Sequence, residues 1–521
     1  MTSPGKILLK HNKGFKWTDN GTVFFKGFLF SKERKYLTGE EAILYLSPLR
    51  SLKDLKLLLA ETDGLFSIVI QTEKTLIFAC DRVRTFPLFY TENLVTDDPV
   101  SLEDQFNINP DAEHEFIQSG FVTGKDTLLQ NLHQVQAGEV VEISETLKAS
   151  FYHSLITKTW DNIPFEESFE RLTNLLDSTF ADFIRSLEGR PVALSLSGGY
   201  DSRLIAMMLK KHRYSKVICY TFGRKDNYEL RNSKRTAEVL GFPWKFIEYN
   251  QETAKGYLHS SEFNEYYKYA ARYTSMPFLW DYFSIIHLKN EKIISDDTII
   301  VTGHAGDVIA GSRLKGRFTQ ETSSYDIVNL ILNDNYHLGN GNISTVHIDK
   351  LTAQTVAHTG TSVSIYENWD IKERQTKYTV NSTAVYDYFG YEFRMPFWDL
   401  RLMDFFKQLS PELKNYKRLY NDVLSDSFFA PFNLNFDEEL QTKRSEYQKQ
   451  NIKDKLKKHI PFWLKKKLKK QEPPWHAHDI LTLPMLNEIK GTELGKNLGL
   501  NYASIICLWY IGELRKRKRD L

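Results

Sequence analysis

Hydrophobic and polar positions follow different patterns in the two main regions of the chain. Residues 1 to about 150 carry short runs of β-branched and aromatic residues separated by Gly, Asp and Asn, which is typical of β-strands. The predicted strands are Thr22–Phe30, Leu65–Ile70, Thr75–Ala79 and Glu139–Ile143. From about 165 to 430, short apolar runs alternate with amphipathic stretches. The predicted elements there are a helix at Ser168–Leu187, a strand at Val192–Leu196, a helix at Asp201–Lys211, a strand at Val217–Phe222, a helix at Asn232–Leu240 and a strand at Thr298–Val301. This alternation favours a doubly wound α/β fold, in which helices cover a parallel sheet.

The composition is that of a folded protein with several domains. The chain has 521 residues, of which 41% are hydrophobic and 13% aromatic, and at about 150 residues per domain this length predicts two to four domains. No run of about 18 apolar residues predicts a membrane-spanning helix, and residues 1–14 have no apolar secretory segment. The three cysteines, Cys80, Cys219 and Cys507, are too far apart for a disulfide scaffold or a four-cysteine metal site. We therefore expect a reduced, cytoplasmic protein.

Charge is balanced overall but uneven along the chain. The net charge of +2 gives no reason to expect specific nucleic-acid binding. The segment Lys443–Lys470, however, has 12 basic and 2 acidic residues, and Arg515–Arg519 adds five consecutive basic residues. The pattern predicts a basic helix interrupted near Pro461, with Phe462 and Trp463 among its apolar members. Three interpretations remain open: a solvated helix face, adsorption to the anionic inner face of a membrane, or docking of an acidic partner or RNA.

The sharpest local signal lies at Pro191–Lys211, where a predicted buried strand runs through Ser197-Gly198-Gly199-Tyr200-Asp201-Ser202 directly into a helix. Adjacent glycines allow a tight turn with exposed N–H groups, and the helix start adds donors and a positive dipole end, so the segment predicts an anion site. Ser197 and Ser202 supply hydroxyl groups, and Asp201 can hold Mg²⁺. The alternative is an ordinary strand–helix turn in which Asp201 or Ser202 caps the helix. The order of strand, glycines, acid and serine favours a nucleotide phosphate site that is neither a Walker loop nor a dinucleotide fingerprint.

Segments on both sides of this loop resemble the asparagine synthetase family. SGGYDS resembles the pyrophosphate loop of that family, Ile299–Ser312 its third-strand motif, and Tyr391–Leu424 its E-x-R-x-P-F-x-D segment with the lysine-bearing helix that follows. Upstream, the segments that resemble the glutamine-hydrolysing domain of the family are Asp63–Ile70, Cys80–Tyr90 and Leu128–Ile143. The motifs occur in the family order over about residues 20 to 425, which is far more specific than any one of them.

The resemblance implies three parts and an activity. Residues 1–150 would be an αββα sandwich of the Ntn amidotransferase type, 151–430 a doubly wound ATP-pyrophosphatase domain, and 431–521 a basic, mainly helical extension. The activity implied is that of an AMP-forming carbon–nitrogen ligase that uses ATP and Mg²⁺. A small-molecule carboxylate would attack the α-phosphate of ATP and expel pyrophosphate, and an amine or ammonia would then capture the acyl-adenylate.

The family motifs also imply roles for individual residues. The implied ATP-binding residues are Leu196, Ser197, Gly198, Gly199, Asp201, Ser202, Phe222, Thr302 and Gly303. The implied metal ligands are Asp201 and Asp307, and the implied catalytic residues are Lys417 and His304. The alternatives are core packing for Leu196 and Phe222, a turn for Asp307 and a surface position for Lys417. Glu392 and Arg394 are interpreted as a structural ion pair.

Two departures from the family pattern bear on the substrate. His304 and Val308 replace family glutamates. An imidazole can move a proton near neutral pH, but a half-buried histidine with a satisfied hydrogen bond is equally compatible with the sequence. These changes place aspartate in doubt as the substrate, while ATP use is still expected.

The N-terminal region lacks the residues that glutamine hydrolysis requires in this family. Thr2 follows Met1, and no cysteine precedes Cys80, so we expect no glutaminase nucleophile. Lys26-Gly27-Phe28 corresponds to the family segment Asn-Gly-Glu, and Arg84 stands where the family has glycine. The amine would then be free ammonia, ammonia from a separate amidotransferase, or an amine of the acceptor or of the substrate itself. An amide-bond cyclase of the β-lactam synthetase or peptide-cyclase type and a non-catalytic nucleotide-binding scaffold remain as alternatives.

Overall fold

The computed structural model describes residues 5–225, 228–318, 322–436, 477–499 and 501–519. The basic segment Lys443–Lys470 lies outside these ranges, and so do the interpretations that rest on it. Among the helices in the described ranges, none combines the length and the apolar character needed to cross a membrane.

The N-terminal region is built from two sheets. The first has the strand order β11-β10-β6-β5-β3-β2, with β4 also paired to β3, and all of its pairs are antiparallel. The second has the order β1-β8-β7-β9. The strands are β1 Lys6–Leu8, β2 Trp17–Asp19, β3 Val23–Phe30, β4 Tyr36–Thr38, β5 Asp63–Gln71, β6 Leu76–Cys80, β7 Phe89–Thr91, β8 Leu94–Thr96, β9 His133–Gln134, β10 Glu139–Ile143 and β11 Leu147–Phe151. The predicted strands therefore lie at β3, β5, β6 and β10.

Alternation along the strands divides the core of this region into two layers. The helices that accompany the sheets are α1 Gly39–Leu46, α2 Leu52–Glu61 and α3 Pro110–Ser119. On β5, Ile68 and Ile70 join a buried cluster with residues of α1 and α2, whereas Val69 points to the opposite face and joins residues of the second sheet. The first sheet is thus covered by helices on one face and by the second sheet on the other.

The following region is an α/β unit with a parallel sheet, which confirms the predicted fold class. Its strand order is β14-β13-β12-β15-β16, and every pair is parallel. The strands are β12 Val192–Ser195, β13 Val217–Gly223, β14 Trp244–Glu248, β15 Ile299–Val301 and β16 Phe393–Arg394. The helices up to the last of these strands are α4 Phe165–Arg185, α5 Tyr200–Lys211, α6 Tyr228–Leu240, α7 Ser261–Ala271, α8 Trp280–Asn290, α9 Gly306–Ile309, α10 Ser324–Asn335, α11 Thr345–Val356, α12 Ser362–Trp369 and α13 Ala384–Phe389.

The remaining described residues are helical. They form α14 Leu400–Gln408, α15 Pro411–Lys414, α16 Arg418–Val423, α17 His478–Ile489 and α18 Tyr502–Arg519. α17 packs against α18, and α18 packs against α3 of the N-terminal region. The described part of the C-terminal extension is therefore helical, as predicted.

The basic end of α18 is bound to the N-terminal region. Arg517 forms an ion pair with Glu103 at 3.0 Å, and Arg515 forms one with Glu113. Lys518 donates to the backbone carbonyls of Glu103 and Phe106. These contacts give this basic run a structural role, because Arg515 and Arg517 are paired with acids more than 400 positions away in the chain.

The strand order places a crevice beside β12. From β12 the chain proceeds outward through β13 and β14 on one side, and then returns to build β15 and β16 on the other side. In open parallel sheets, ligands bind outside the carboxyl ends of the strands at the point where the direction of winding reverses. The segments after β12 and after β15 meet at this point, and they are the two segments in which the sequence predicts phosphate and metal binding.

Candidate active site

The segment between β12 and α5 is a loop held closed by its own serines. The Ser197 N–H donates to the Ser202 hydroxyl at 3.1 Å, and the two serine hydroxyls are 3.0 Å apart. The Gly199 N–H donates to the Ser197 hydroxyl at 3.2 Å. Ser202 is buried, so its hydroxyl shapes the loop from within. The loop ends at Gly199, directly before the first turn of α5, whose N–H groups have no carbonyl partner within the helix.

The two glycines of this loop are required for different reasons. A Cβ atom at Gly198 would lie 2.8 Å from the Cα atom of Glu229 on α6, a distance that no side chain tolerates. Gly199 has a φ of −79°, which any residue can adopt, and a Cβ atom there would be 3.3 Å from the Ser197 hydroxyl. Gly198 therefore permits the close packing of α6, whereas Gly199 leaves space in front of the start of α5.

Arg203 binds the phosphate loop from the interior of the protein, and this residue was not identified from the sequence. Its side chain is 1% exposed, and its guanidinium donates to the carbonyls of Gly198 at 3.0 Å and Leu434 at 3.1 Å. The same guanidinium lies 4.4 Å from the ring centre of Phe436. The signal in the sequence is an arginine inside the apolar run of α5, where a buried charge needs dedicated partners.

We expect Arg203→Met to weaken ATP binding about tenfold, because loss of a charged hydrogen bond of about 1.5 kcal/mol leaves the Gly198 carbonyl unpaired. Calorimetric titration with ATP measures the change. The matched control is Arg235→Met, since Arg235 also lies 4.4 Å from the Phe436 ring but is exposed on α6. An unchanged ATP affinity in Arg203→Met would show that the loop does not depend on this support.

The segment after β15 packs directly on the phosphate loop. A Cβ atom at Gly303 would be 3.1 Å from the Ser202 nitrogen and 3.3 Å from the Asp201 Cβ atom, so the two segments touch at this point. The Asp307 N–H, in the first turn of α9, donates to Asp201 Oδ2 at 2.8 Å. The two predicted metal ligands, which are 106 positions apart in sequence, are thus brought together.

The electrostatics of this pair fit a divalent cation. Burial and the neighbouring Asp307 charge raise the pKa of Asp201 to about 7, while the Lys417 charge acts in the opposite direction. A divalent cation beside the two carboxylates would favour the ionised form of Asp201. Within the described ranges no group of three or more His, Cys, Asp or Glu side chains could hold a metal ion, so further ligands would be phosphate and water oxygens. That is the way in which Mg²⁺ is commonly held beside a nucleotide.

Lys417 lies at a kink where a left-handed pair of residues begins α16. Tyr416 and Lys417 have φ values of 58° and 60°. The Tyr416 hydroxyl donates to the Lys315 carbonyl at 3.1 Å, and the Asn421 amide donates to the Tyr416 carbonyl at 3.3 Å, so the kink is fixed from both sides. Because the Lys417 charge acts on Asp201, the structure brings this predicted catalytic residue to the site.

His304 is a neutral group in this structure. Its Nδ1 atom is 2.9 Å from the Thr302 hydroxyl, and burial lowers its pKa to about 4. The imidazole is therefore uncharged at neutral pH and offers a hydrogen bond rather than a charge. The geometry therefore favours the half-buried, hydrogen-bonded histidine of the two alternatives, and the catalytic role of His304 stays a prediction.

Leu196 and Phe222, which the family motif implies as nucleotide contacts, also pack against other residues of the protein, and their contact with the nucleotide stays a prediction. The Leu196 side chain is 1% exposed in the hydrophobic core, and the Leu196 carbonyl accepts a hydrogen bond from Thr221 at 2.7 Å. The Phe222 ring stacks on Tyr249 with ring centres 5.2 Å apart. Glu392 and Arg394 form the expected ion pair at 3.1 Å.

Tyr420 is a second residue that sequence reasoning missed. Its hydroxyl donates to Asp201 Oδ1 at 2.8 Å, so both oxygens of Asp201 have a donor from the protein. The residue lies three positions after Lys417, which would have been its only signal in the sequence.

Lys26, Gly27 and Phe28, which the resemblance aligns with the glutamine-binding segment of the family, are buried. Lys26 and Asp387 are 3% and 4% exposed and form an ion pair at 2.9 Å. Phe86 contacts Phe15 with ring centres 4.9 Å apart. Cys80 is fully buried, and burial raises the pKa of its thiol to about 12, so the thiol is not a nucleophile.

Comparison with known proteins supplies one family and several structures. Residues 174–429 match the family model described as Asparagine synthase. An NH₃-dependent NAD synthetase from Campylobacter jejuni subsp. jejuni NCTC 11168 is 16% identical, with coverage of 41% of this chain and 96% of its own, at a TM-score of 0.22. A predicted subunit of tRNA methyltransferase from Methanocaldococcus jannaschii is 18% identical, with coverage of 32% and 75%, at a TM-score of 0.15. The U34-tRNA thiolase NcsA from Methanococcus maripaludis is 15% identical, with coverage of 36% and 73%, at a TM-score of 0.17. No curated protein matches the chain.

Proposed function

We propose that the protein is an ATP-dependent, AMP-forming amide ligase, because residues 174–429 match the Asparagine synthase family model. A carboxylate of a small molecule attacks the α-phosphorus of ATP, and the bond to the β-phosphate breaks, which releases pyrophosphate. An amine or ammonia then attacks the acyl carbon of the adenylate, loses a proton, and expels AMP. The overall reaction converts carboxylate, amine and ATP to amide, AMP and pyrophosphate.

One observation carries this proposal. The phosphate loop and Asp307 meet at the reversal point of the parallel sheet, with the Asp307 N–H 2.8 Å from Asp201 Oδ2. A turn that merely connected a strand to a helix would not require a second acid in the same desolvated place. A triphosphate with its cation accounts for both features.

Different residues of this chain contribute to the release of pyrophosphate in different ways. The backbone N–H groups of the first turn of α5 would face the leaving phosphates, where negative charge develops. Lys417 supplies a positive charge close to Asp201. Asp201 and Asp307 would hold Mg²⁺, whose chemistry when bound is to neutralise phosphate charge and act as a Lewis acid.

The neutral His304 supports an acceptor other than aspartate. A family carboxylate at this position has become an uncharged imidazole that is hydrogen-bonded to Thr302. Position 304 therefore places one negative charge fewer beside the carboxylate substrate than it does in family members. The neutral imidazole of His304 can only donate or accept a hydrogen bond. We infer that the substrate presents an uncharged polar group, or none, toward His304.

The amine is proposed to come from outside the N-terminal region. The Lys26–Asp387 ion pair stands where family members hold the glutamine amide, and the Cys80 thiol is buried. Both observations support a chain without its own glutaminase. Free ammonia, ammonia from a separate amidotransferase, or a substrate amine then serves as nucleophile.

The direct test is the formation of AMP and pyrophosphate from ATP and Mg²⁺ over a panel of carboxylates, with and without ammonium. We expect at least one carboxylate to release AMP, and ATP–pyrophosphate exchange to appear before any amine is added. Release that is complete without an added amine would identify an amide-bond cyclase. Formation of ADP alone, or no binding of ATP with Mg²⁺, would contradict the proposal and favour a non-catalytic scaffold.

A further inference from the structure

Tyr420 is buried against the phosphate loop, and its hydroxyl is built into the site. The residue is 1% exposed, and its oxygen is 2.8 Å from Asp201 Oδ1. A Cβ atom at position 306 would be 2.6 Å from this oxygen, so Gly306 leaves the room that the hydroxyl occupies. The hydroxyl is therefore accommodated by both segments that form the site.

The hydrogen bond fixes the orientation of the Asp201 carboxylate. Oδ1 accepts from Tyr420 and Oδ2 accepts from the Asp307 N–H, so rotation of the carboxylate would break one of two bonds. Each carboxylate oxygen has two lone pairs, and one on each oxygen remains available for a cation.

The same bond also ties α16 to the loop. α16 has only six residues and begins after the left-handed pair Tyr416 and Lys417, so little within the helix itself fixes its position. Lys417 directly precedes α16 and Tyr420 lies in the first turn of that helix, so only a short stretch of backbone separates the two residues. The bond from Tyr420 to Asp201 therefore also sets where the Lys417 ammonium lies relative to the loop.

We propose that Tyr420 is a positioning residue that orients Asp201 for the divalent cation and anchors Lys417 beside the phosphates. The inference rests on the proposed function, because it assigns the hydroxyl a role in binding the cation of the nucleotide. Removal of a group that orients a metal ligand typically costs 10–100-fold in metal affinity. A hydroxyl that only filled space would leave metal affinity unchanged.

The experiment compares wild type with Tyr420→Phe, which keeps the ring and loses only the hydroxyl. Mn²⁺ is titrated into each protein at saturating ATP, and bound Mn²⁺ is measured by electron paramagnetic resonance. We expect Tyr420→Phe to need about 10–100-fold more Mn²⁺ for half-saturation, with the affinity for metal-free ATP unchanged. In turnover assays kcat should fall at limiting Mg²⁺ and partly recover at high Mg²⁺.

The matched control is Tyr214→Phe, which removes a tyrosine hydroxyl that donates to the Arg190 carbonyl at 2.5 Å near the amino end of β12. Its Mn²⁺ titration should follow wild type. Should Tyr420→Phe fail to fold, Tyr420→Leu, which also keeps an apolar side chain without the hydroxyl, should shift the metal requirement in the same direction. An unshifted Mn²⁺ requirement in the folded variant, or an equal shift in Tyr214→Phe, overturns the inference while the proposed function stands. A wild type that binds no Mn²⁺ with ATP overturns the proposed function, and the inference with it.

Discussion

Asp201→Asn should lower the rate of AMP and pyrophosphate formation by about 10³-fold or more. The carboxylate is proposed to hold the cation that neutralises phosphate charge, and loss of several kcal/mol of such stabilisation corresponds to a factor of this size. The asparagine can keep both hydrogen bonds of Asp201, because its oxygen can accept from the Asp307 N–H and its amide can donate to the Tyr420 oxygen. ATP–pyrophosphate exchange measures the rate, and thermal unfolding shows whether the fold is intact.

The thermal measurement also separates a catalytic role from a structural one. Because burial and Asp307 raise the pKa of Asp201 to about 7, the folded protein already favours the neutral form of this side chain at low pH. A neutral replacement should therefore leave the midpoint of unfolding unchanged or raise it at pH 8. Asp177→Asn is the control, since Asp177 is a half-exposed acid of α4 that pairs with Lys211. Exchange at the wild-type rate in Asp201→Asn would remove the basis of the proposed reaction, and an absence of exchange in both proteins would favour the scaffold.

The parts of this protein that could be predicted from the sequence are those whose signal is local. The phosphate loop is one case, because β12, the glycines, Asp201 and α5 follow one another within about 20 residues. The parallel sheet is another case, since the spacing of apolar residues changes clearly between its strands and its helices. The short β-rich runs of residues 1–150 likewise became β3, β5, β6 and β10.

The contacts that complete the site could not be derived in this way. Tyr420 and Asp201 are 219 positions apart, and nothing distinguishes Tyr420 from the other 26 tyrosines until the chain is folded. The pairing of Asp307 with Asp201 was foreseen only through the family motif, because a lone aspartate beside glycines is more often a turn residue. The roles of Leu196 and Phe222 depend on how the sheet is packed, which their apolar character leaves open.

Charge gave the least reliable signal. Nothing in the sequence indicated partners for the basic run Arg515–Arg519, yet Arg515 and Arg517 bind Glu113 and Glu103 of the N-terminal region. In the same way, the sequence showed Lys26 only as the residue that replaces the asparagine of other family members. Its partner Asp387 is 361 positions away, so the buried ion pair becomes visible only in the folded chain.

The largest loss of stability is expected from Lys26→Met. Removing one partner of a buried ion pair typically costs about 3–5 kcal/mol, because the other charge is left without compensation. Asp387 would keep hydrogen bonds from the Phe15 N–H and the Tyr269 hydroxyl but lose its cation. The free energy of unfolding is measured by denaturant titration, with thermal unfolding as a second probe. Lys32→Met is the matched control, since Lys32 pairs with Glu61 at 2.7 Å on the surface and its loss should change the free energy of unfolding little.

The loss of stability in Lys26→Met is expected to depend on pH, and the pKa of Asp387 sets the direction of that dependence. Burial alone would raise the pKa of Asp387, but the Lys26 charge and the hydrogen bonds hold it below its ordinary value in the wild type. A lowered carboxyl pKa stabilises the fold above about pH 4 and loses this contribution as pH falls through the folded pKa. In Lys26→Met the burial effect is no longer opposed by the ammonium, so Asp387 favours its protonated form and the destabilisation should be smaller at pH 5 than at pH 8.

The double variant Lys26→Met/Asp387→Asn should recover most of the loss at pH 8, because no uncompensated charge remains. Equal losses at both pH values, or no recovery in the double variant, would mean that the pair contributes packing rather than charge.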